Sequence, residues 1–307
     1  MISFRKYRVS CCNYLILLRL IAYNPIEGAA AGENPWEKVV APVAGPAQIY
    51  GGYAAGCLKG AVSVPPDGIG YQVVRVGKNR FYGHPSAVTF ISDIGRTARE
   101  SRLTYLVAEM SMPRGGPFTF DHASHQIGLD IDIYFRQPPQ EGVSLRLDER
   151  QILEAHPLAD LDANALIPGA WQPYHLTMLR TAAKHPSTLR IFVHPSIKKK
   201  LCQIVPHDEE GDAAEGDWLR KIRPWWGHNY HFHVRLQCPG GNPFCQPQAP
   251  PEGVGCGSDL DWWFSDEWRR EYEERKRQEQ NPPQPGSLPT LPSECMAILS
   301  REAATLP

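Results

Sequence analysis

The fold is decided by the stretch His125–Phe135, HQIGLDIDIYF, in which apolar and polar side chains alternate from Leu129 onward. A period of two is typical of a β-strand, and it places Asp130, Asp132 and Tyr134 on one face of that strand. The apolar residues then lie on the opposite face. The pattern therefore predicts a strand that buries one side and presents two carboxylates on the other.

A second segment, His231–Leu236, HFHVRL, follows the same rule, with both histidines and the arginine on one face. If the two segments are neighbours in an antiparallel sheet, Asp132 and His233 converge, and His125 approaches from the preceding loop. Imidazole and carboxylate ligands favour zinc, and three protein ligands leave one coordination position for water. The two segments together predict a zinc site on the polar face of a sheet.

Hydrophobic periodicity predicts further elements around this sheet. A helix that runs into a strand is expected over Ser86–Met110, a helix over Gln172–His185 and a buried strand over Leu189–Val193. Val73–Val76 and Arg80–Gly83 are typical of an early hairpin. The predicted fold class is α+β: a single domain with a central antiparallel sheet that carries the zinc site, flanked by helices and disulfide-tied loops.

Composition limits the class of protein. The chain has 307 residues, 42% of them hydrophobic, which is enough to bury a substantial core. The formal net charge is −1, so no basic surplus indicates binding to polyanions. We therefore expect no nucleic-acid partner.

Residues 1–31 have the order of a secretory signal peptide. Basic residues within Arg5–Arg8 precede an apolar run, and Ala29–Ala31 precede a polar break. Asn13 and Arg19 interrupt the apolar run, so the signal is irregular. The alternative is a membrane anchor, for which the run is too short and too charged. We predict export, with no stable membrane insertion after the signal is removed.

The remaining chain divides by composition. Residues 32–270 contain all the candidate site residues and form the predicted catalytic domain. Residues 271–307 begin with a charged run and continue as a proline-rich tail, which cannot form a core of its own. Cys295 lies in this tail, so we expect the tail to be tethered to the domain.

Six cysteines follow the signal segment, and an even number is typical of a disulfide framework in an oxidising compartment. They are Cys57, Cys202, Cys238, Cys245, Cys256 and Cys295. The turn-rich loop between Cys238 and Cys245 favours that pair, and Cys57 is a candidate partner of Cys295. Six cysteines allow fifteen pairings, so the full connectivity stays open. Zinc binding by these thiols is disfavoured because no C-x2-C motif follows residue 31.

Two motifs carry a resemblance to known zinc peptidases. The spacings His125-x-x-Gly128-x-x-x-Asp132 and His231-x-His233 match the superfamily that includes lysostaphin-type peptidases, zinc D-alanyl-D-alanine peptidases and the hedgehog signalling domain. Over most of the chain the sequence further resembles the penicillin-insensitive murein endopeptidases of Gram-negative bacteria. That likeness is carried by residues 82–85, 121–125, 190–193, 217–221, 223–225 and the run that ends at Cys238-Pro239, and the six-cysteine arrangement also fits.

The resemblance implies a periplasmic enzyme that uses Zn²⁺ to hydrolyse D-alanyl–meso-diaminopimelate crosslinks in peptidoglycan. It assigns His125, Asp132 and His233 to the metal. It assigns His231 to proton transfer or transition-state stabilisation, with His228 as a supporting catalytic residue beside the cleft.

Other assignments carried by the resemblance have alternatives. Family members can bind a second metal through the equivalent of His122, a downstream Asp and a His three residues later. Here the Asp matches Asp162, but the last position is Ala165, which puts this site in doubt. Asp130 either orients a ligand histidine through a hydrogen bond or faces solvent.

Three aromatic residues, Trp225, Trp226 and Tyr230, either form the wall of a substrate groove or fill the core beneath the motif. Two other functions also remain open. One is a zinc D-alanyl-D-alanine carboxypeptidase, which requires a closed pocket or a cation for the terminal carboxylate, with Arg235 or Arg223 as candidates. The other is a metal-containing binding module without catalysis.

Overall fold

The computed structural model of the chain describes residues 34–120, 122–139, 143–207, 216–279 and 288–301. These residues belong to one compact unit that begins at Asn34. The predicted signal peptide, residues 1–31, lies outside the described residues. Within the described part of the chain, no helix is both long and apolar enough to cross a lipid bilayer.

The strands of the described residues are numbered in chain order. They are β1 (Gln48–Gly52), β2 (Ala55–Lys59), β3 (Val62–Ser63), β4 (Asp67–Gly68), β5 (Tyr71–Val73), β6 (Tyr82–Gly83), β7 (Tyr105–Glu109), β8 (Asp130–Tyr134), β9 (Ala159–Asp160), β10 (Ala165–Leu166), β11 (Thr188–Val193), β12 (Ile222–Pro224) and β13 (His231–Leu236).

The α-helices of the same residues are numbered likewise. They are α1 (Pro85–Glu100), α2 (Leu147–Gln151), α3 (Pro173–Lys184), α4 (Pro195–Ile204), α5 (Gly216–Arg220), α6 (Ser258–Asp261), α7 (Asp266–Glu279) and α8 (Ser293–Ser300). Short 3₁₀ turns occupy Val76–Lys78 and Trp262–Phe264. The helix-then-strand prediction over Ser86–Met110 is confirmed by α1 and β7.

The largest sheet among the described residues has seven strands in the order β12-β11-β13-β8-β7-β5-β4. Its four central strands, β11, β13, β8 and β7, pair with one another in antiparallel fashion, as predicted. The sheet as a whole is mixed rather than antiparallel, because β12 joins β11 and β5 joins β7 in parallel. Parallel neighbours require a crossover connection, and helices supply it here: α1 lies between β5 and β7, and α4 and α5 lie between β11 and β12.

The predicted early hairpin is also wrong. β5 pairs with β4 and β7, whereas β6 pairs with β3 in a separate two-stranded sheet. The segment Arg80–Gly83 does contain β6, but Val73–Val76 is extended only at its first residue and enters a 3₁₀ turn at Val76.

One face of the large sheet is the main core. The apolar residues of β8 and β13, such as Ile131, Ile133 and Phe232, are fully buried there together with side chains of α1, α3 and α4. Helix α1 begins after His84, whose Nδ1 accepts a hydrogen bond from the backbone N–H of Ser86. Because the apolar side chains of β8 and β13 pack into this core, their polar side chains lie on the opposite face of the sheet.

Three disulfides form among the described residues, one within a short loop and two between segments that are distant in sequence. Cys238–Cys245 and Cys57–Cys295 form as predicted, and the third bond is Cys202–Cys256. The Cys57–Cys295 bond ties β2 to α8 across 238 residues of sequence. The C-terminal segment is thus bound to β2, and α4 is bound to the segment that precedes α6.

The C-terminal segment is more structured than its composition indicated. Helix α7 crosses the predicted boundary between residues 270 and 271. Ile298 of α8 is buried in a small apolar cluster with Trp36, and the guanidinium of Arg114 donates hydrogen bonds to the backbone carbonyls of Ile298, Leu299 and Arg301. Helix α8 is therefore part of the folded unit.

Candidate active site

A cleft of about 700 Å³ lies over the polar face of the large sheet. Its floor is built from β8 and β13, whose polar residues point away from the core. Residues of β7, β11 and the segments at 122–124 and 225–228 line its sides. Most of the candidate site residues that the sequence predicted line this cleft.

The register between β8 and β13 sets the floor of the cleft. His233 lies directly opposite Asp132, His231 opposite Tyr134, and Arg235 opposite Asp130. As a result His233 Nδ1 is 3.2 Å from Asp132 Oδ1. The convergence that was expected of two neighbouring antiparallel strands is present.

His125 reaches the same carboxylate from the loop that precedes β8. Its Nε2 atom lies 3.4 Å from Asp132 Oδ1. The loop is tight: His125 has a φ of 68°, and its backbone N–H donates to Asp130 Oδ2 at 3.0 Å. Gly128 has a φ of 69°, and a Cβ at this position would lie 2.8 Å from the backbone nitrogen of His84, so only glycine fits without a shift.

The unsatisfied polar atoms of this cluster fit a metal ion. His125 Nε2 and Asp132 Oδ1 are inaccessible to solvent and have no hydrogen-bond partner among the described residues. Buried polar atoms without partners are rare in folded proteins. Imidazole nitrogen and carboxylate oxygen are also the donor set that suits zinc and related ions.

One group of candidate ligand atoms among the described residues differs by one residue from the predicted set. His122, His125 and Asp132 have ligand atoms that all lie within 4.8 Å of one another. His122 Nδ1 is 3.7 Å from Asp132 Oδ2, whereas His233 contacts the other carboxylate oxygen, Oδ1. Four histidines, His122, His125, His231 and His233, therefore surround the Asp132 carboxylate, and the cluster contains a possible His-His-Asp metal site.

Asp130 is fully buried and does not face solvent. It accepts hydrogen bonds from Arg235 Nε at 2.8 Å and Nη2 at 3.0 Å, and its Oδ1 atom lies 3.1 Å from His233 Nε2. Burial alone would raise the pKa of Asp130, but Arg235 and His233 hold it well below its usual value. Likewise burial would lower the pKa of His233, but Asp130 and Asp132 raise it to about 9.

His231 and His228 are neighbours at one side of this cluster, with ring centroids 5.0 Å apart. His231 Nε2 is 3.7 Å from Asp132 Oδ2. Burial lowers the pKa of His231 to about 4 and that of His228 well below its usual value. Nδ1 of His228 lies 3.1 Å from the carbonyl oxygen of Trp226. In the absence of metal both rings are therefore neutral at pH 7.

Glu109 is a residue of the cleft that sequence reasoning missed. It ends β7, pairs with Asp132 across a bulge in the ladder, and is 4% exposed. Its carboxylate contacts Lys78 Nζ at 2.9 Å, Arg75 Nη1 at 3.1 Å and His122 Nε2 at 3.7 Å. Burial opposes ionisation of Glu109, but His122 and Lys78 lower its pKa to about 2. The only signal in the sequence for this role was that Glu109 lies at the end of a predicted strand. That signal was not enough to place it in the cleft, because the sequence did not show which strand would pair with this one.

The structure does not bring Asp162 to His122. Asp162 lies in the turn between β9 and β10, and its side chain is 72% exposed. Its Oδ1 atom contacts Lys276 Nζ at 2.5 Å and accepts a hydrogen bond from Tyr272 at 3.1 Å. The predicted second-metal role of Asp162 is therefore unsupported, because α7 rather than the cleft receives its carboxylate. Ala165, at the other doubtful position, begins β10.

The three aromatic candidates all line the cleft, but they differ in exposure. Trp225 is 55% exposed, whereas Trp226 is half-buried and packs on Trp268 and Tyr272 of α7, with ring centroids 4.4 Å and 4.6 Å away. Tyr230 is half-buried, with its ring centroid 4.5 Å from that of His231. Trp226 thus combines both expected roles, and Trp225 is the ring that is open to a ligand.

Comparison with known proteins agrees with this architecture. The model of a family described as penicillin-insensitive murein endopeptidase matches residues 49–300. The chain belongs to this family. It is 39% identical to the penicillin-insensitive murein endopeptidase of Yersinia enterocolitica, over 94% of this chain and 97% of that protein. The protein of the same name from Pectobacterium atrosepticum is also 39% identical over 94% and 97%, and that from Klebsiella pneumoniae is 37% identical over 92% and 97%.

The matched region covers the whole cleft, all six disulfide-bonded cysteines and the whole of α8. The chain is therefore a peptidase by family, and its predicted resemblance is confirmed.

Proposed function

We propose that the protein is a zinc-dependent murein endopeptidase that hydrolyses D-alanyl–meso-diaminopimelate crosslinks of peptidoglycan in the periplasm, after removal of residues 1–31 as a signal peptide. The observation that carries the proposal is the convergence of His125 and His233 on one buried oxygen of Asp132, at the floor of an open cleft. Family membership supports the activity, since the relatives are named murein endopeptidases.

The zinc ligands in this proposal are His125 Nε2, His233 Nδ1 and a carboxylate oxygen of Asp132. The contact between His233 Nε2 and Asp130 supports Nδ1 as the donor atom, because a histidine ligand usually directs its other nitrogen to a carboxylate or carbonyl. When bound, zinc polarises a carbonyl group and makes water nucleophilic at neutral pH.

The chain's own residues supply proton transfer and positioning. His231 is neutral and adjoins Asp132, so its free nitrogen can accept a proton from the attacking water and return it to the leaving amine. His228 packs beside the His231 ring and supports its position. Trp225, Trp226 and Tyr230 form a wall that orients the peptide. The proposal assigns no role to an acylated serine, so β-lactams should not inhibit the enzyme.

Digestion of purified crosslinked muropeptide dimers tests the activity. We expect dimers to become monomers, a chelator to stop the reaction and added zinc to restore it. Loss of terminal D-alanine without conversion of dimers would instead identify a carboxypeptidase. No reaction with metal-loaded protein would indicate a non-catalytic binding module and overturn the proposal.

Metal analysis of two single variants tests the ligand set independently of activity. His233→Ala should lose stoichiometric zinc, whereas His122→Ala should retain it, because His122 faces Glu109 as well as the second oxygen of Asp132. The reverse result would show that the ion binds to the compact group of His122, His125 and Asp132 instead.

A further inference from the structure

Arg190 is a positively charged residue of the cleft that belongs neither to the candidate metal cluster nor to the hydrophobic core. It lies on β11, on the same face as Phe192, and its side chain lines the cleft. Its Nη2 atom donates to the carbonyl oxygen of Ala249, and its guanidinium lies 5.8 Å from the centroid of the Phe192 ring. These contacts hold the side chain in place without neutralising its charge.

The surroundings of Arg190 are unfavourable for a positive charge. Arg235 lies directly opposite it on β13, and like charges in that position are destabilising. Burial, followed by the neighbouring Arg235, lowers the pKa of Arg190. Among the described residues, no carboxylate lies within ion-pair distance of Arg190, and its buried Nε has no hydrogen-bond partner. Asp130 is already occupied by Arg235 and His233.

The other arginine on this side is directed away from the cleft. Arg223 on β12 donates hydrogen bonds to the backbone carbonyls of Glu252 and Gly253 and does not line the cleft. Arg190 is therefore the cation on this side whose charge is both directed into the cleft and unpaired within the described chain. A ligand that supplies an anion would remove the imbalance.

The register places that anion close to the reacting bond. Phe192 lies opposite His233, and Arg190 is two residues further along β11, roughly 7 Å at the usual rise of a strand. In the proposed substrate, the scissile nitrogen is attached to a carbon of diaminopimelate that also bears a free carboxylate. A carboxylate so near the scissile amide has to lie within a few ångströms of the metal ligands.

We infer that Arg190 binds this carboxylate and so selects diaminopimelate as the residue that contributes the leaving amine. The inference rests on the proposed function. The guanidinium group suits the role because it binds a carboxylate through two parallel hydrogen bonds. The subsite thus recognises an amine-side residue with a free carboxylate on the carbon that bears the scissile nitrogen.

Lysine provides the matched substrate, because it is diaminopimelate without that carboxylate. Two synthetic crosslinked dimers that differ only in diaminopimelate or lysine on the amine side would be digested by the zinc-loaded protein. We expect kcat/KM to be about 10- to 100-fold lower for the lysine dimer, the usual contribution of a charge-assisted hydrogen bond. Arg190→Gln should lose about the same factor on the diaminopimelate dimer and little on the lysine dimer, so that the preference disappears.

Two further variants complete the test. Arg223→Gln removes a neighbouring charge outside the cleft and should keep the preference, whereas Arg190→Lys should keep part of it. Thermal unfolding and zinc content would verify that each variant is folded and loaded. Equal rates of the wild-type protein on both dimers, or an equal loss on both dimers in Arg190→Gln, would overturn the inference while leaving the endopeptidase proposal intact. Failure of the zinc-loaded wild-type protein on both dimers would overturn the proposed function and the inference with it.

Discussion

Replacing Asp130 by asparagine separates the structural role of this residue from its role at the metal. The change keeps the shape of the side chain but leaves the Arg235 guanidinium without a counter-ion in a site where Asp130 is fully buried and Arg235 is 7% exposed. Removing one partner of a buried ion pair costs about 3–5 kcal/mol. The remaining amide oxygen can still accept the N–H of His125. We therefore expect a loss near the lower end, about 3 kcal/mol in the free energy of unfolding.

The same change should weaken zinc binding. Asp130 contacts Nε2 of His233, and loss of such an outer partner typically lowers metal affinity by about 10- to 100-fold. Denaturant unfolding of the metal-free protein measures the first effect, and competition with a chromophoric chelator measures the second. Replacing both partners, as Asp130→Asn with Arg235→Met, removes the unpaired charge and should restore much of the stability but not the zinc affinity.

Asp162→Asn is the matched control, because it removes a carboxylate that is exposed and directed at α7. It should leave stability and zinc affinity unchanged. If Asp130→Asn bound zinc within twofold of the wild-type protein, the positioning role of Asp130 would be refuted, whatever its effect on stability.

Three further changes have expected outcomes. His231→Ala should lower kcat by about 10²- to 10⁴-fold with zinc still bound, measured on muropeptide dimers; an unchanged kcat would exclude proton transfer by this ring. Burial lowers the pKa of His175 and His194 to about 4, so as the pH falls these histidines are protonated in the unfolded chain before they are protonated in the folded chain. The free energy of unfolding should therefore fall by about 2 kcal/mol per histidine between pH 7 and pH 5. His194→Asn should reduce this pH dependence, measured by urea unfolding. Cys57→Ser with Cys295→Ser should destabilise the fold by about 2–5 kcal/mol, and an unchanged melting temperature would contradict the tethering role of this bond.

Alternation along two short segments was enough to predict the floor of the cleft. Each strand has an apolar half that the core requires, and the polar half is then left on the other face, so the shared face of Asp132 and His233 followed from a period of two. The tight loop before β8 was visible only as a glycine three residues after His125. The strained φ of His125 and the capture of its N–H by Asp130 depend on the folded loop.

What the sequence did not predict depends on which strands become neighbours. Glu109 enters the cleft because β7 pairs with β8, and nothing local to Tyr105–Glu109 indicates that pairing. The parallel edges of the sheet arise from helical crossovers whose direction a hydrophobic pattern does not encode. Asp162 lies apart from His122 for a different reason: alignment by spacing does not report the direction of an exposed turn, and the Asp162 carboxylate contacts Lys276.

The core and the site are constrained by the same register. Side chains change faces at every residue, so a slip of β13 by one position relative to β8 would place an apolar residue opposite Asp132 and turn His233 into the core. The buried residues Phe232 and Val234 would be expelled toward the cleft by the same slip. Substitutions that loosen this apolar face should therefore impair metal binding without touching a ligand. The geometry of the candidate metal centre is thus maintained by hydrophobic packing on the opposite side of the sheet, and the polar contacts of Asp130 refine a position that the core has already set.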